Sequence, residues 1–433
     1  MQQARTADAS RLGRYAITVI GVCALLNMLD GYDLFIMGFA IPYLPAGFGS
    51  ATATGYLLSA ALIGMGVGAL VGGPVADRAG RRRLLRVALV VNLVGLVGSA
   101  LAPGYGVLLV SRFVTGVAVG AITVVIMVLN QEFAPENRRS VAMGMVVFGF
   151  PLGNILAGLS AQSLFVVLEE SWRDLFWVGA GLAVVMLVLG WAIIPESVAY
   201  LHSRGTPAAM AEAARLQARL GLPEGPGPAV EPDPTPQAGL TGILGPRMRA
   251  RTLLLWVGYL LVIGPFYFVG TWTPALVARM SGDASDGATA GLLVSTGTLA
   301  GAVLYALVGL RFSPTKITIL ACLVAAFTAA PFSSLLGTAW ELPLAALLGV
   351  GLSATLTGYS GTAISLYPVE SRARGYGLMH AAGRIGAITA PIVVGYAVSL
   401  VSPAVIYSSL VAPLALSAVA ATLIHILTLR AES

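Results

Sequence analysis

The sequence predicts an all-α membrane protein of twelve transmembrane helices, arranged as two pseudo-symmetric bundles of six. Three observations predict it. Of 433 residues, 57% are hydrophobic and 10% are charged, against about 25% charged in soluble domains, and the mean hydropathy is +0.86. Apolar runs of about 20 residues, the length that crosses a ~30 Å hydrocarbon layer as a helix, recur twelve times. They centre near residues 28, 64, 92, 119, 152, 184, 262, 298, 326, 353, 388 and 414. None alternates with the period of two that a membrane barrel strand needs, so each must satisfy its backbone internally as a helix.

The third observation is where the charge lies. With the N-terminus cytoplasmic, 21 of the 25 Lys and Arg fall on the cytoplasmic side. They sit ahead of span 1, between spans 2 and 3 (Arg78, Arg81, Arg82, Arg83, Arg86), after span 4 (Arg138, Arg139) and in the central loop. The remainder follow spans 8, 10 and 12. Only Arg112, Arg173, Arg279 and Arg384 break the pattern. This asymmetry orients a multi-pass protein of the cell (inner) membrane and requires an even number of spans, both termini being cytoplasmic. The net charge of +6 therefore reflects topology, and no nucleic-acid partner is expected. Cys23 and Cys322 both lie within spans, which argues against a disulfide framework or a metal site. Span 1 has no small-residue cleavage site after it, so it reads as a retained helix and not as a signal peptide.

Domain organisation follows from the longest polar stretch, residues 202–251, which contains GLPEGPGPAVEPDPTPQAG. Rich in Pro and Gly, it reads as a flexible cytoplasmic linker with one short helix at TPAAMAEAARLQARL. It separates an N-terminal bundle, 1–201, from a C-terminal bundle, 252–433. Two six-span repeats joined by a long loop suggest a transporter that rocks its halves around a central site. Weak internal symmetry agrees. NQEFAPENRRSVAMG follows span 4 and ISLYPVESRARGYGLM follows span 10, with Pro135 matching Pro368.

Span 1 contains LDGYD, which sets Asp30 and Asp33 on adjacent faces of one helical turn. A carboxylate at the bilayer centre costs several kcal/mol unless it is protonated, paired or wet. One reading is structural, with the aspartates stabilising packing or a break at Gly31. The other is that a carboxyl so placed takes up and releases a proton near neutral pH, as coupling to a proton gradient requires. Arg112 and Arg384 are the basic residues deep inside spans. Arg384 lies about eight residues into span 11, roughly 12 Å deep at 1.5 Å per residue. Its planar fork suits a bidentate grip on a substrate carboxylate; the competing reading is a salt bridge that locks the halves. His380, one turn earlier, shares its face and is either a second proton carrier or a polar cavity residue.

Span 7 is crowded with aromatics. Trp256 and Trp272 read as interface or packing residues, whereas Tyr259 and Tyr267 lie nearer the interior, where they could stack on an aromatic ring or simply pack. Asn27, Asn130, Asn154 and Tyr359 are polar groups within spans and candidates for a cavity wall.

Several motifs carry a resemblance. Gly73-Pro-Val-Ala-Asp77-Arg78-Ala-Gly80-Arg81-Arg82 resembles the loop 2–3 signature of the major facilitator superfamily, and Arg112-x-x-x-Gly116-x-x-x-Gly120 resembles its span 4 signature. PESVAYL, Pro195 to Leu201, is similar to the motif after span 6 of its sugar-porter-like branches. LDGYD, RFSPTKI and GRIGAITAP together resemble the aromatic acid:proton symporters, a pattern shared in part by nicotinate and organic-anion carriers. The likeness covers the chain apart from its termini and linker. The family aspartate of loop 8–9 stands here as Leu310, which removes a second gating charge, and the family pattern does not prepare for His380.

The resemblance implies alternating-access symport of a small organic anion, an aromatic carboxylate first, with protons, by a monomer in the bilayer and without a cofactor. It implies an anion-contacting arginine at Arg384 and a proton-handling arginine at Arg112, the partner that tunes Asp33. For Asp77, Arg81 and Glu132 it implies a cytoplasmic charge latch, with Asp77 facing the positive end of the span 11 helix dipole. The rivals are a carrier of nicotinate, sugar or another small solute, and a proton-driven drug exporter. No Walker A pattern, nucleophile or soluble catalytic domain supports an ATP-driven pump, an enzyme or a receptor.

Overall fold

In the computed structural model the described residues are 13–45, 48–135, 138–167, 171–220, 243–246, 248–335, 338 and 340–432. The Pro-rich run 221–239, Arg5, Arg11 and Arg247 lie outside them. Twelve helices are long and apolar enough to cross a membrane. Spans 1 to 6 are Arg14–Tyr43, Ala51–Ala79, Arg81–Ala100, Tyr105–Phe133, Val141–Leu164 and Trp172–Ile193. Spans 7 to 12 are Arg249–Ser281, Ala284–Val308, Pro314–Phe332, Glu341–Leu366, Arg374–Ala397 and Pro403–Arg430. Among the described residues there is no strand. Each expected run is a helix, because lipid offers the backbone no other partner.

After span 6 come two short helices, Val198–Arg204 and Pro207–Leu220. Ser197 caps the first, its hydroxyl accepting from the Tyr200 N–H at 3.1 Å, and Gly205 ends it with φ +62°. The second is polar overall but buries Ala213, Leu216 and Leu220 along one face, the spacing of an amphipathic helix. Asp283 caps span 8. Its carboxylate accepts from the Ser285 N–H at 2.8 Å, and that bond holds its carboxyl below the usual range.

The chain forms two compact units. The first comprises Met1–Leu34, Ala60–Leu156 and Arg173–Pro232; the second comprises Phe35–Ser59, Ala157–Trp172 and Asp233–Ser433. Span 1 thus changes unit immediately after Leu34. Within the first unit small residues let backbones meet, the usual device where lipid supplies no hydrophobic drive between helices. A methyl on Gly116 or Gly120 of span 4 would overlap the carbonyls of Ala61 or Met65 in span 2. The second unit repeats the device, with Gly297 and Gly301 of span 8 against Ala346 and Val350 of span 10, and Gly349 against Val294. Spans 2 and 4 therefore meet as spans 8 and 10 do. Also inside the second unit, the far ends of spans 1 and 2 seat on spans 7 and 11. Gly38 lies against Thr271, Gly55 against Pro391, and Ser59 donates to the Ile388 carbonyl at 2.7 Å.

Candidate functional site

Three groups of polar residues stand out against this apolar frame, two in the first unit and one in the second. The first is on span 1. Asp33 is 1% exposed and Arg112 0%. Arg112 Nη1 donates to Asp33 Oδ1 at 2.5 Å, and its Nη2 donates to the Asp33 backbone carbonyl. Asn92 of span 3, itself fully buried, donates to Asp33 Oδ2 at 3.3 Å. The guanidinium also lies over the Phe176 ring of span 6 at 5.9 Å. Three helices therefore meet at one carboxylate, and a fourth covers the arginine that pairs with it. Asp30, one turn earlier and also buried, meets the hydroxyl of Thr123 in span 4 at 2.9 Å. Span 1 is drawn in by close contacts with span 5, where Gly31 faces the Phe150 carbonyl and Gly153 the Met28 carbonyl. Tyr32 is pinned to the Leu175 carbonyl at 2.9 Å.

The second group lies at the arginine-rich end of the same unit. Arg81 pairs with Asp77 at 3.1 Å and donates to Ser197 Oγ at 3.1 Å; Ser197 in turn donates to Glu132 Oε2 at 2.6 Å. Glu196 Oε1 accepts from the backbone N–H groups of Arg81 and Arg82 at 2.9 and 3.1 Å. A carboxylate is thus seated on the positive N-terminus of span 3. Gly80, at φ +97°, makes the turn that brings it there, and a side chain at that position would strike Glu196. Asp77, Arg81 and Glu132 are brought together, with Ser197 as the bridge. Asp77 is the solvent-facing member, its side chain 69% exposed.

The third group is in the second unit. Tyr259 of span 7 is buried, and its hydroxyl meets His380 Nδ1 of span 11 at 3.0 Å. Their ring centroids are 4.9 Å apart, and the ring of Tyr376, one turn before His380, lies 4.4 Å from that of His380. Gly383 lets the Tyr259 ring lie against span 11. Arg384 is half-buried one turn beyond His380 and within electrostatic reach of both His380 and Tyr259. Among the described residues it makes no hydrogen bond or salt bridge, in contrast to Arg112. Tyr267 is half-buried and stacks on Phe35, centroids 6.3 Å apart and planes within 10°.

Other candidates for a cavity wall are placed differently. Tyr359 is 0% exposed, its hydroxyl bound to the Ser417 carbonyl and side chain at 2.7 and 2.8 Å. Asn27 donates to the Val146 carbonyl at 2.9 Å and Asn130 to Met143 Sδ at 3.8 Å, contacts between packed helices of the kind that spare a polar group from lipid. Asn154 is buried. Trp272 is buried too. Among the described residues no group of His, Cys, Asp and Glu could hold a metal ion.

Nothing in the sequence marks Asn92, Thr123 or Tyr376. PESVAYL, the stretch similar to a family motif, contains both Glu196 and Ser197, but only their contacts reveal what they hold.

Twelve helices long enough to cross a membrane, packed through glycines within each unit and carrying buried charge inside the spans, point to a membrane transporter. Residues 23–391 match the Major Facilitator Superfamily, and the chain belongs to that superfamily. It is 30% identical over 403 residues to a gallate transporter of Pseudomonas putida, covering 91% of this chain and 88% of that one. It is 31% identical over 395 residues to the 4-hydroxybenzoate transporter PcaK of Pseudomonas aeruginosa, covering 88% and 86%. The fold is similar to that of the xylose transporter XylE from E. coli, whose matched structure is a partially occluded inward-open conformation. That likeness has a TM-score of 0.71 at 18% identity, over 94% of this chain and 96% of that one.

Proposed function

We propose that this transporter imports a small organic anion, an aromatic carboxylate first, together with protons across the cell membrane. One observation carries the reading. Arg384 is a permanent positive charge inside span 11 that makes no hydrogen bond or ion pair among the described residues. An uncompensated cation at membrane depth is costly, and an incoming carboxylate supplies the missing charge with two parallel hydrogen bonds. Beside it, Tyr259, Tyr376 and His380 offer ring faces and edges suited to an aromatic body, and Tyr267 extends that aromatic surface. Asp30, Asp33 and Arg112 handle the proton.

The Asp77–Arg81–Ser197–Glu132 group acts as a latch on the cytoplasmic side. In this reading both termini are cytoplasmic, the protein works as a monomer, and segments 1–201 and 252–433 move as bundles about the 202–251 linker. Names of relatives agree, since two of them carry gallate and 4-hydroxybenzoate.

The test is uptake into proteoliposomes of radiolabelled benzoate and 4-hydroxybenzoate under an imposed inward proton gradient. Accumulation that collapses with a protonophore is the expected result. Uptake of neutral sugars in their place, or gradient-driven export of cationic drugs, would replace the anion reading.

A further inference from the structure

At the arginine-rich end of the first unit, two guanidiniums share one neutral acceptor. Arg82 Nη2 donates to the Trp191 carbonyl of span 6 at 3.4 Å, and Arg86 Nη2 donates to the same oxygen at 3.2 Å. Arg86 also lies over the Trp191 ring, 5.2 Å from its centroid, a cation–π contact that holds the guanidinium in place. Spans 3 and 6 touch beside this group, where Gly190 lies against the Leu89 side chain.

One reading is that the two arginines only cap span 6, since Trp191 is in its last turn, where carbonyls lack helical partners. The charges do not balance on that reading. A helix C-terminus carries about −0.5 of an elementary charge, and here it meets two full positive charges. Arg83 adds a third, exposed in the same turn. Glu196 is within electrostatic reach of Arg86, but its Oε1 is already taken by the backbone N–H groups of Arg81 and Arg82. Among the described residues Arg82, Arg83 and Arg86 form no ion pair, in contrast to Arg81 and Arg112. The Nε–H of Arg82 and that of Arg86 are buried and meet no acceptor there.

The apolar surroundings indicate what supplies the missing charge. Val87, Val90 and Val94 run on along span 3 from the arginines, and Val188 lies one turn from Trp191 on span 6, all of them exposed. In a multi-pass membrane protein such a face lies against lipid tails. Trp191, itself 49% exposed, stands at the edge of that face, as tryptophans do at a membrane interface. The arginines therefore sit where the acyl-chain face ends, on stems long enough to reach the headgroup layer. A soluble anion would match the charge alone, whereas a lipid matches both the charge and the apolar face.

We propose that Arg82 and Arg86, with Trp191, bind the headgroup phosphate of an anionic phospholipid, one acyl chain of which lies along the valine face of spans 3 and 6. Phosphodiester oxygens accept from guanidinium N–H groups that the Trp191 carbonyl leaves free. Charge complementarity selects a headgroup of net negative charge over a zwitterionic one.

Native mass spectrometry of the full chain in mild detergent tests this, with phosphatidylglycerol and phosphatidylcholine of identical acyl chains as probes. The wild type should hold one phosphatidylglycerol at least tenfold more tightly than phosphatidylcholine. Arg82→Gln with Arg86→Gln should bring that affinity down to the phosphatidylcholine level, at roughly fivefold per arginine near a charged surface. Arg311→Gln, just after span 8, should leave it unchanged. Wild-type affinity in the double variant, or equal retention of the two lipids by the wild type, overturns the proposal. Excess inorganic phosphate should not displace the lipid, and displacement would assign the site to a soluble anion instead.

Should the double variant fail to fold, tryptophan fluorescence in nanodiscs decides. Brominated phosphatidylglycerol should quench the wild type more than brominated phosphatidylcholine does, and the difference should vanish in Trp191→Phe. A difference that survives in Trp191→Phe, or no difference in the wild type, rules the site out.

Discussion

The Arg112 guanidinium and the Asp33 carboxylate meet at 2.5 Å with neither exposed to solvent, so each supplies the counter-charge that water would otherwise screen. Breaking such a pair from one side leaves a bare buried charge and costs about 3–5 kcal/mol. Removing both ends leaves none. Arg112→Gln and Asp33→Asn should each lower stability strongly, while the double variant Asp33→Asn with Arg112→Gln recovers part of the loss. Unfolding titrations of the purified protein in detergent check this. Additive losses in the double variant would show that the two residues act independently.

Arg384 decides the class of cargo. Removing one partner of a buried charge pair typically costs 2–5 kcal/mol in binding, about thirtyfold or more at 1.4 kcal/mol per tenfold. Arg384→Ala should lose at least that much affinity for 4-hydroxybenzoate in equilibrium binding. Arg384→Lys should recover only part, because an ammonium lacks the paired donors. The methyl ester should bind the wild type nearly as poorly as the acid binds the alanine variant. A neutral ester that binds as well as the acid assigns Arg384 to packing.

The Ser197 hydroxyl bridges Arg81 and Glu132, and Asp77 stands at the solvent edge of the group. An i,i+4 pair with its carboxylate exposed, as in Asp77–Arg81, contributes under about 1 kcal/mol to stability, so its loss will not unfold the protein. Ser197→Ala and Asp77→Asn should leave substrate affinity within about twofold of wild type and slow turnover, more so in Ser197→Ala. Initial rates of counterflow set beside equilibrium binding separate the two effects. Weakened binding with normal turnover would move the group out of a latch role.

Close helix contact predicts a contrast between glycines. A methyl on Gly120 would overlap the Met65 carbonyl, whereas one on Gly181 meets nothing within 4 Å. Gly120→Ala should cost about 1–3 kcal/mol through forced helix separation, and Gly349→Ala, its counterpart against Val294 in the second unit, a similar amount. Gly181→Ala should be neutral. Thermal unfolding of the three variants tests the ranking.

The twelve spans were legible because lipid imposes one rule on every backbone: about twenty apolar residues, closed on themselves as helix. Asp30, Asp33, Arg112 and Arg384 were legible for the complementary reason, since a charge at that depth is too costly to be incidental. Asn92, Thr123 and Ser197 were not. A neutral hydroxyl or amide in an apolar helix can bond its own backbone at small cost, so nothing in the string separates a threonine that caps its own turn from one that meets a carboxyl. Tyr359 shows the converse: a phenol within a span reads as cavity lining, yet Ser417 and the contact with Gly258 commit it to packing.

The sequence by itself determined class, span number and the identity of the buried charges, because those follow from the energy of transferring each residue into hydrocarbon. Which charges meet was decided only by tertiary structure. Arg112 reaches Asp33 and Arg384 is left with no ion pair among the described residues because glycines at helix crossings fix which backbones touch. That choice depends on three-dimensional fit between helices far apart in the chain, which no single stretch of sequence contains.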